Sequence, residues 1–128
     1  MLITEKQDRN GIFLGVKAFR LDRRGVLRFL FHAHNGTSVV PLNRFIEAKR
    51  RWVTDGSRQK KYRAGFHFFP EGADMTKFAA LVKNKYVYVT VLAMGVEPKP
   101  RSSVGSWLAR KIMVCSEDVR AARRRGAR

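Results

Sequence analysis

IFLGVKAFRL (Ile12–Leu21), DRRG (Asp22–Gly25) and VLRFLFH (Val26–His32) decide how this chain folds. Two β-rich runs joined by four residues ending in glycine are the grammar of a β-hairpin, with Gly25 supplying a positive φ. In the second run Leu27, Phe29 and Phe31 share one face, while Arg28, Leu30 and His32 share the other. One face of this hairpin is apolar and the other mixed.

Working outward, HNGTS (His34–Ser38) is turn chemistry, and SVVPL (Ser38–Leu42) is a short apolar run that Pro41 confines to a sheet edge. RFIEAKRRWV (Arg44–Val53) fits a helix through Phe45, Ala48 and Trp52 and also a bent strand, and the strand is the reading preferred. A polar loop, Thr54–Lys61, leads into the strand YRAGFHFF (Tyr62–Phe69), which stops at Pro70-Glu71-Gly72. Met75, Phe78, Ala79 and Val82 then recur at i, i+3, i+4 and i+7, with Asp74 to cap the helix and Asn84 to end it. Tyr86–Leu92 alternates as a strand, Gly95–Gly105 reads as a loop, and Trp107–Cys115 makes a last strand. Ser116 as cap, Glu117 and Asp118 in the first turn and Arg123, Arg124 and Arg125 in the last complete a short C-terminal helix. The fold class is therefore α+β: a mostly antiparallel sheet of about six to seven strands, one central helix and the short C-terminal helix. Residues 1–116 read as the single domain and 117–128 as a basic helix or tail.

Charge is the other strong signal. The chain carries 27 Lys+Arg against 10 Asp+Glu in 128 residues, a net charge of +17. Such an excess repels itself in a compact domain and points to a polyanionic partner. With 45% hydrophobic and 11% aromatic residues, the chain has enough apolar material to build a core, which excludes a disordered basic tail. Cys115 is the only cysteine, so no intrachain disulfide is possible. That usage and the lack of an apolar leader point to a reducing, cytoplasmic compartment. No apolar run approaches the ~20 residues a bilayer span requires, so integral membrane association is not expected.

The excess is concentrated. Residues 49–63 hold seven basic side chains and one acidic one. Lys49, Arg50, Arg51, Arg58, Lys60, Lys61 and Arg63 are interleaved there with Trp52 and Tyr62. Basic groups for phosphates with aromatics for stacking are the pattern of RNA or single-strand contact, each stacked base contributing about 1–3 kcal/mol. The same two aromatics also fit core anchors at the ends of adjacent strands. The tail holds Arg120, Arg123, Arg124, Arg125 and Arg128, all arginine, a choice that favours bidentate phosphate contacts. Lys17, Arg20, Arg23, Arg24 and Arg28 form a third group around the first hairpin. With no helix-turn-helix or zinc-finger grammar, the expectation is a non-enzymatic nucleic-acid-binding protein of weak sequence specificity, RNA or single-stranded DNA being favoured. The competing expectation is an interaction protein that covers an acidic protein surface.

Catalytic signals are sparse. His32-x-His34 needs a third ligand from His67 or Cys115, and no C-x-x-C or H-E-x-x-H pattern supplies one, so no metal is expected. Cys115, in a strand pattern, reads as a small core residue. Gly11-x-x-x-Gly15 lacks the Lys-Ser/Thr of a phosphate loop. No cofactor is called for on these grounds.

Two resemblances add to this reading. The order of HNGT (His34–Thr37), YRAGFHFF (Tyr62–Phe69), an alanine-containing helix and a strand ending VLAMG (Val91–Gly95) resembles the core of ADP-ribosyltransferases. That resemblance implies NAD held between two small sheets, with His32 or His34 on the nicotinamide ribose and Phe68 or Phe69 near the stacking aromatic. The chain departs from the family where a late strand should carry the catalytic glutamate: Trp107–Cys115 contains no acid, and Glu97 is the nearest candidate. The Gly65-Phe66-His67 strand with its following helix and strand also resembles small uncharacterised domains common in bacteriophage genomes, which implies a short accessory phage protein without naming an activity.

Overall fold

The computed structural model describes residues 11–30, 36–48, 52–54, 61–63, 65–81, 85–98 and 105–125. The first hairpin forms as its sequence dictates. β1 (Ile12–Leu21) pairs with β2 (Leu27–Phe29) from Phe19↔Phe29 to Leu21↔Leu27, around a turn in which Gly25 adopts φ 79°.

β1 is also the seam along which the sheet closes. One edge of β1 pairs with β7 (Val87–Pro98) from Ile12↔Met94 to Phe19↔Val87. The other edge takes β2 and, at Gly15 and Val16, β6 (Phe66–Pro70). β8 (Trp107–Met113) pairs with β7 along one edge and with β3 (Phe45–Glu47) and β6 along the other. Since β6 and β7 each bond to both β1 and β8, these four strands form a closed antiparallel ring with no free edge at that level.

Closure brings β6 very close to β1, and only glycine permits it. A Cβ on Gly15 would stand 2.5 Å from Phe68 Cδ2 and 2.7 Å from the Phe69 carbonyl oxygen. The Phe68 ring therefore lies over the backbone of β1 and is wholly buried. Farther along, Gly95 (φ 63°) changes the phase of burial: Val87, Val89, Val91 and Ala93 face the core before it and Val96 after it. β8 changes phase beside it, with Ala109 and then Ile112 and Val114 inside. Both strands coil around the core at this point. The expected loop at Gly95 is thus a kinked strand that continues to Pro98.

Two further readings need correction. Tyr62–Phe69 is two strands, β5 (Lys61–Arg63) and β6, and Arg44–Val53 supplies β3 and the start of β4 (Trp52–Thr54). Among the described residues β4 and β5 pair only with each other. This ribbon leaves the sheet at Ala48, whose N–H donates to the Arg110 carbonyl at 2.8 Å, and returns at Gly65 against the Ala109 backbone. β3 and β6 therefore lie end to end along β8, with the ribbon as an excursion between them. Among the described residues the main antiparallel sheet holds six strands, the lower of the expected six to seven, and the ribbon adds two.

The helices exchange the importance expected of them. α1 (Thr76–Leu81) is six residues long. It starts as expected, with Asp74 Oδ1 accepting from the Thr76 N–H (3.0 Å) and hydroxyl (2.6 Å). It is not central: Phe78 covers Phe69 and Tyr86 edge-to-face at 5.3 and 5.7 Å on the outside of the sheet. Val82 and Asn84 lie outside the described residues. α2 (Ser116–Arg125) is the helix that enters the core, Val119 and Ala122 joining Phe19, Leu27, Val87 and Val114 in one buried cluster. It seals the end of the barrel where β1 and β8 finish and β3 and β7 begin.

Ser116 is not its cap. The Cys115 carbonyl accepts from the N–H groups of Asp118 and Val119, and the Ser116 N–H donates to Asn43 Oδ1 at 2.9 Å, a partner 73 residues away. Asn43 sits at φ 62°, a conformation asparagine tolerates better than most residues. Cys115 lies half-buried at the junction of β8 and α2, not inside a strand.

Candidate nucleic-acid interface

The sealed end of the barrel gathers the turn of the first hairpin, the start of β3, the residue before β7 and the whole of α2. The turn is organised by one carboxylate. Asp22 Oδ1 accepts from the N–H groups of Arg24 and Val26, each at 2.9 Å, and Oδ2 takes Arg28 Nε at 2.9 Å. The Arg28 hydrogen bond, with the two backbone donors, holds the Asp22 carboxyl below its ordinary pKa. Arg28 also donates to Ser38 Oγ at 2.8 Å, so this arginine is committed within the fold. Arg23 and Arg24, on the exposed tip, are not.

α2 lays its last turn on this hairpin. Arg123 Nε donates to the Gly25 carbonyl at 2.9 Å, and the Arg125 guanidinium donates to the Tyr88 carbonyl at 2.6 Å. Arg120 and Arg124, one turn apart on the exposed side of the helix, have no described acceptor. Glu117 and Asp118 sit at the opposite, N-terminal end, where the helix dipole favours acid. Two of the three basic groups seen in the sequence, the tail and the hairpin, thus share one end of the molecule. Arg44 beside Asn43 and Lys85 before β7 join them there, both exposed. Neither stood out in the sequence, because each is a single charge; the only signal was its place next to a strand end.

Lys17 does not belong to that surface. β6 pairs with β1 at residues 15 and 16 and β2 at residues 19 to 21, leaving a gap that the stacked rings of Phe29 and Phe66 (6.1 Å, 10°) bridge. Lys17 Nζ donates to the His67 carbonyl there at 2.6 Å and lies 5.8 Å from the Phe19 ring centroid. Lys17 as a whole is half-buried, yet its ammonium is the part withdrawn from water, and that desolvation lowers its pKa from 10.5 to about 8.

Of the loop cluster, Lys49, Arg50, Arg51, Arg58 and Lys60 lie outside the described residues, as do Arg128, His32 and His34. Trp52, Lys61, Tyr62 and Arg63 belong to the ribbon, in the register Trp52↔Arg63, Val53↔Tyr62, Thr54↔Lys61. The ribbon's root at Ala48 and the sealed end at Arg44 are joined by β3, roughly 13 Å of extended chain.

Of the residues named by the transferase resemblance, Phe68 is wholly buried against Gly15 and Phe69 is covered by Phe78. Glu97 is exposed on β7 opposite Leu108. Among the described residues no cluster of His, Cys, Asp and Glu could hold a metal ion. No helix among them is long and apolar enough to cross a membrane. Comparison of the chain with protein-family models, curated proteins and solved structures returns no match.

Proposed function

We propose that this protein binds nucleic acid without catalysing a reaction, holding the phosphates of RNA or single-stranded DNA at the sealed end of the barrel and along the β4–β5 ribbon. The observation that carries the reading is the docking of α2: the Arg123–Gly25 hydrogen bond sets Arg120 and Arg124 beside Arg23 and Arg24. These four exposed guanidinium groups have no described acceptor, and each can hold a phosphate by two parallel hydrogen bonds. The barrel supplies a mount for them, and the ribbon strands carry Trp52 and Tyr62, the two aromatics to which this reading assigns base stacking. Contacts of this kind follow the backbone and carry little sequence information.

A fluorescence-anisotropy titration of labelled single strands at several salt concentrations tests this. About six phosphate contacts give a slope of about −4 in log K against log salt for a single strand. Binding that is absent, or independent of salt, overturns the reading.

A further inference from the structure

The outer face of the sheet carries a second surface of the opposite character. Antiparallel register aligns Leu14, Leu92, Met113 and Phe45 in one row across β1, β7, β8 and β3. The next row holds Ile12, Met94, Lys111 and Glu47. α1 covers this side of the sheet only at its other end, over Phe69 and Tyr86. Ile12 is 56% and Leu14 47% exposed, and Leu92, Met94, Met113 and Phe45 are half-buried. A contiguous apolar face on four rigid strands is the kind of patch that marks an association site.

Its charge identifies the occupant. In a chain of net charge +17, the two rows hold, among the described residues, one base and one acid. Lys111 and Glu47 stand directly opposite each other, yet no ion pair joins them. A polyanion gains nothing from a neutral apolar face, and an acidic protein would be drawn to the basic end instead. A second copy of this chain, itself strongly basic, can approach closely only where the net charge is zero. We propose that this face is the interface of a symmetric dimer whose twofold axis runs between β8 and β3, so that Lys111 of each copy pairs with Glu47 of the other and Met113 meets Phe45 at the apolar centre, with Leu92 and Leu14 on its flank. An isologous contact requires a surface that complements itself, and an unbridged acid–base pair at the border of an apolar patch meets that requirement.

Sedimentation of the nuclease-treated full chain at high salt tests the proposal, since both conditions remove bridging by nucleic acid. The expected result is a reversible species of twice the chain mass. Met113→Glu places an unpaired carboxylate at the centre and is expected to weaken association by about tenfold or more. Glu47→Lys and Lys111→Glu are each expected to weaken it, and an equimolar mixture of those two variants to restore it as a heterodimer. All three side chains stand on the outer face of the sheet, and thermal unfolding verifies that each variant is folded. A single-copy species at the highest soluble concentration, or a dimer that survives all three substitutions, overturns the proposal. Failure of the mixture to restore association overturns the Lys111–Glu47 exchange.

Discussion

Arg123 and Gly25, 98 residues apart in the chain, are joined by a hydrogen bond from Nε to the carbonyl oxygen at 2.9 Å. This bond fixes the basic end of α2 to the turn of the first hairpin, and it divides the tail arginines into those that hold the fold and those that face outward.

Arg123→Ala and Arg124→Ala therefore separate. Arg123→Ala is expected to cost about 0.5–1 kcal/mol of stability through the lost hydrogen bond. Arg124→Ala, with no described acceptor to lose, should leave stability within about 0.5 kcal/mol. In the binding titration Arg124→Ala should reduce the salt slope by about 0.7, the share of one phosphate contact on a single strand. Urea melts and anisotropy on the same samples check both halves.

At Asn43 a remote cap and a left-handed backbone coincide, and two substitutions tell them apart. Asn43→Gly keeps the backbone geometry and loses the side-chain acceptor, for which about 1 kcal/mol is expected. Asn43→Ala loses both, so it should be the more destabilising by about another 1 kcal/mol. The order of the two denaturation midpoints is the measurement, and equal midpoints would remove backbone strain from the account.

Lys17 gives the fold a dependence on alkaline pH. Its folded pKa, about 8, lies below the ordinary 10.5, so between those values the unfolded chain binds the extra proton and stability rises with pH. The rise is at most about 3 kcal/mol, is complete above pH 10.5 and is absent below pH 8. Lys17→Met, which removes the titrating group, should abolish that part of the rise while leaving the protein folded at neutral pH. Guanidinium midpoints at several pH values for both proteins, compared as differences, isolate the effect from other titrating groups.

Gly15 and Gly36 make a contrasting pair. Alanine at Gly15 puts a methyl group 2.5 Å from the Phe68 ring, against a backbone that cannot yield, and is expected to cost 3 kcal/mol or more, at roughly the upper end of core overpacking. Alanine at Gly36 meets nothing within 4 Å, so only the positive φ of 77° opposes it, worth about 1 kcal/mol. Comparable losses at both positions would mean that β6 does not close on β1 as described.

The sequence by itself determined the local elements whose signals are local. β1, the Gly25 turn, the extended character of β8, the Asp74 cap and the charge order along α2 follow from alternation, turn chemistry and the helix dipole, which act between near neighbours in the chain. It also placed the arginines that face outward on α2. Only the tertiary structure decided the rest, because the deciding contacts join different elements, several of them 50 residues or more apart. Gly95 has the composition of a turn, yet with strands on either side its positive φ bends a continuing strand. Gly65 separates two strands that one alternating pattern had merged, because the edge of β8 accepts only the second. Asn43 caps a helix that Ser116 was expected to cap. Most consequentially, the sealing of the barrel by Val119 and Ala122 brought the hairpin arginines and the tail arginines together, since burial of two small apolar side chains fixes where the charges beside them must stand.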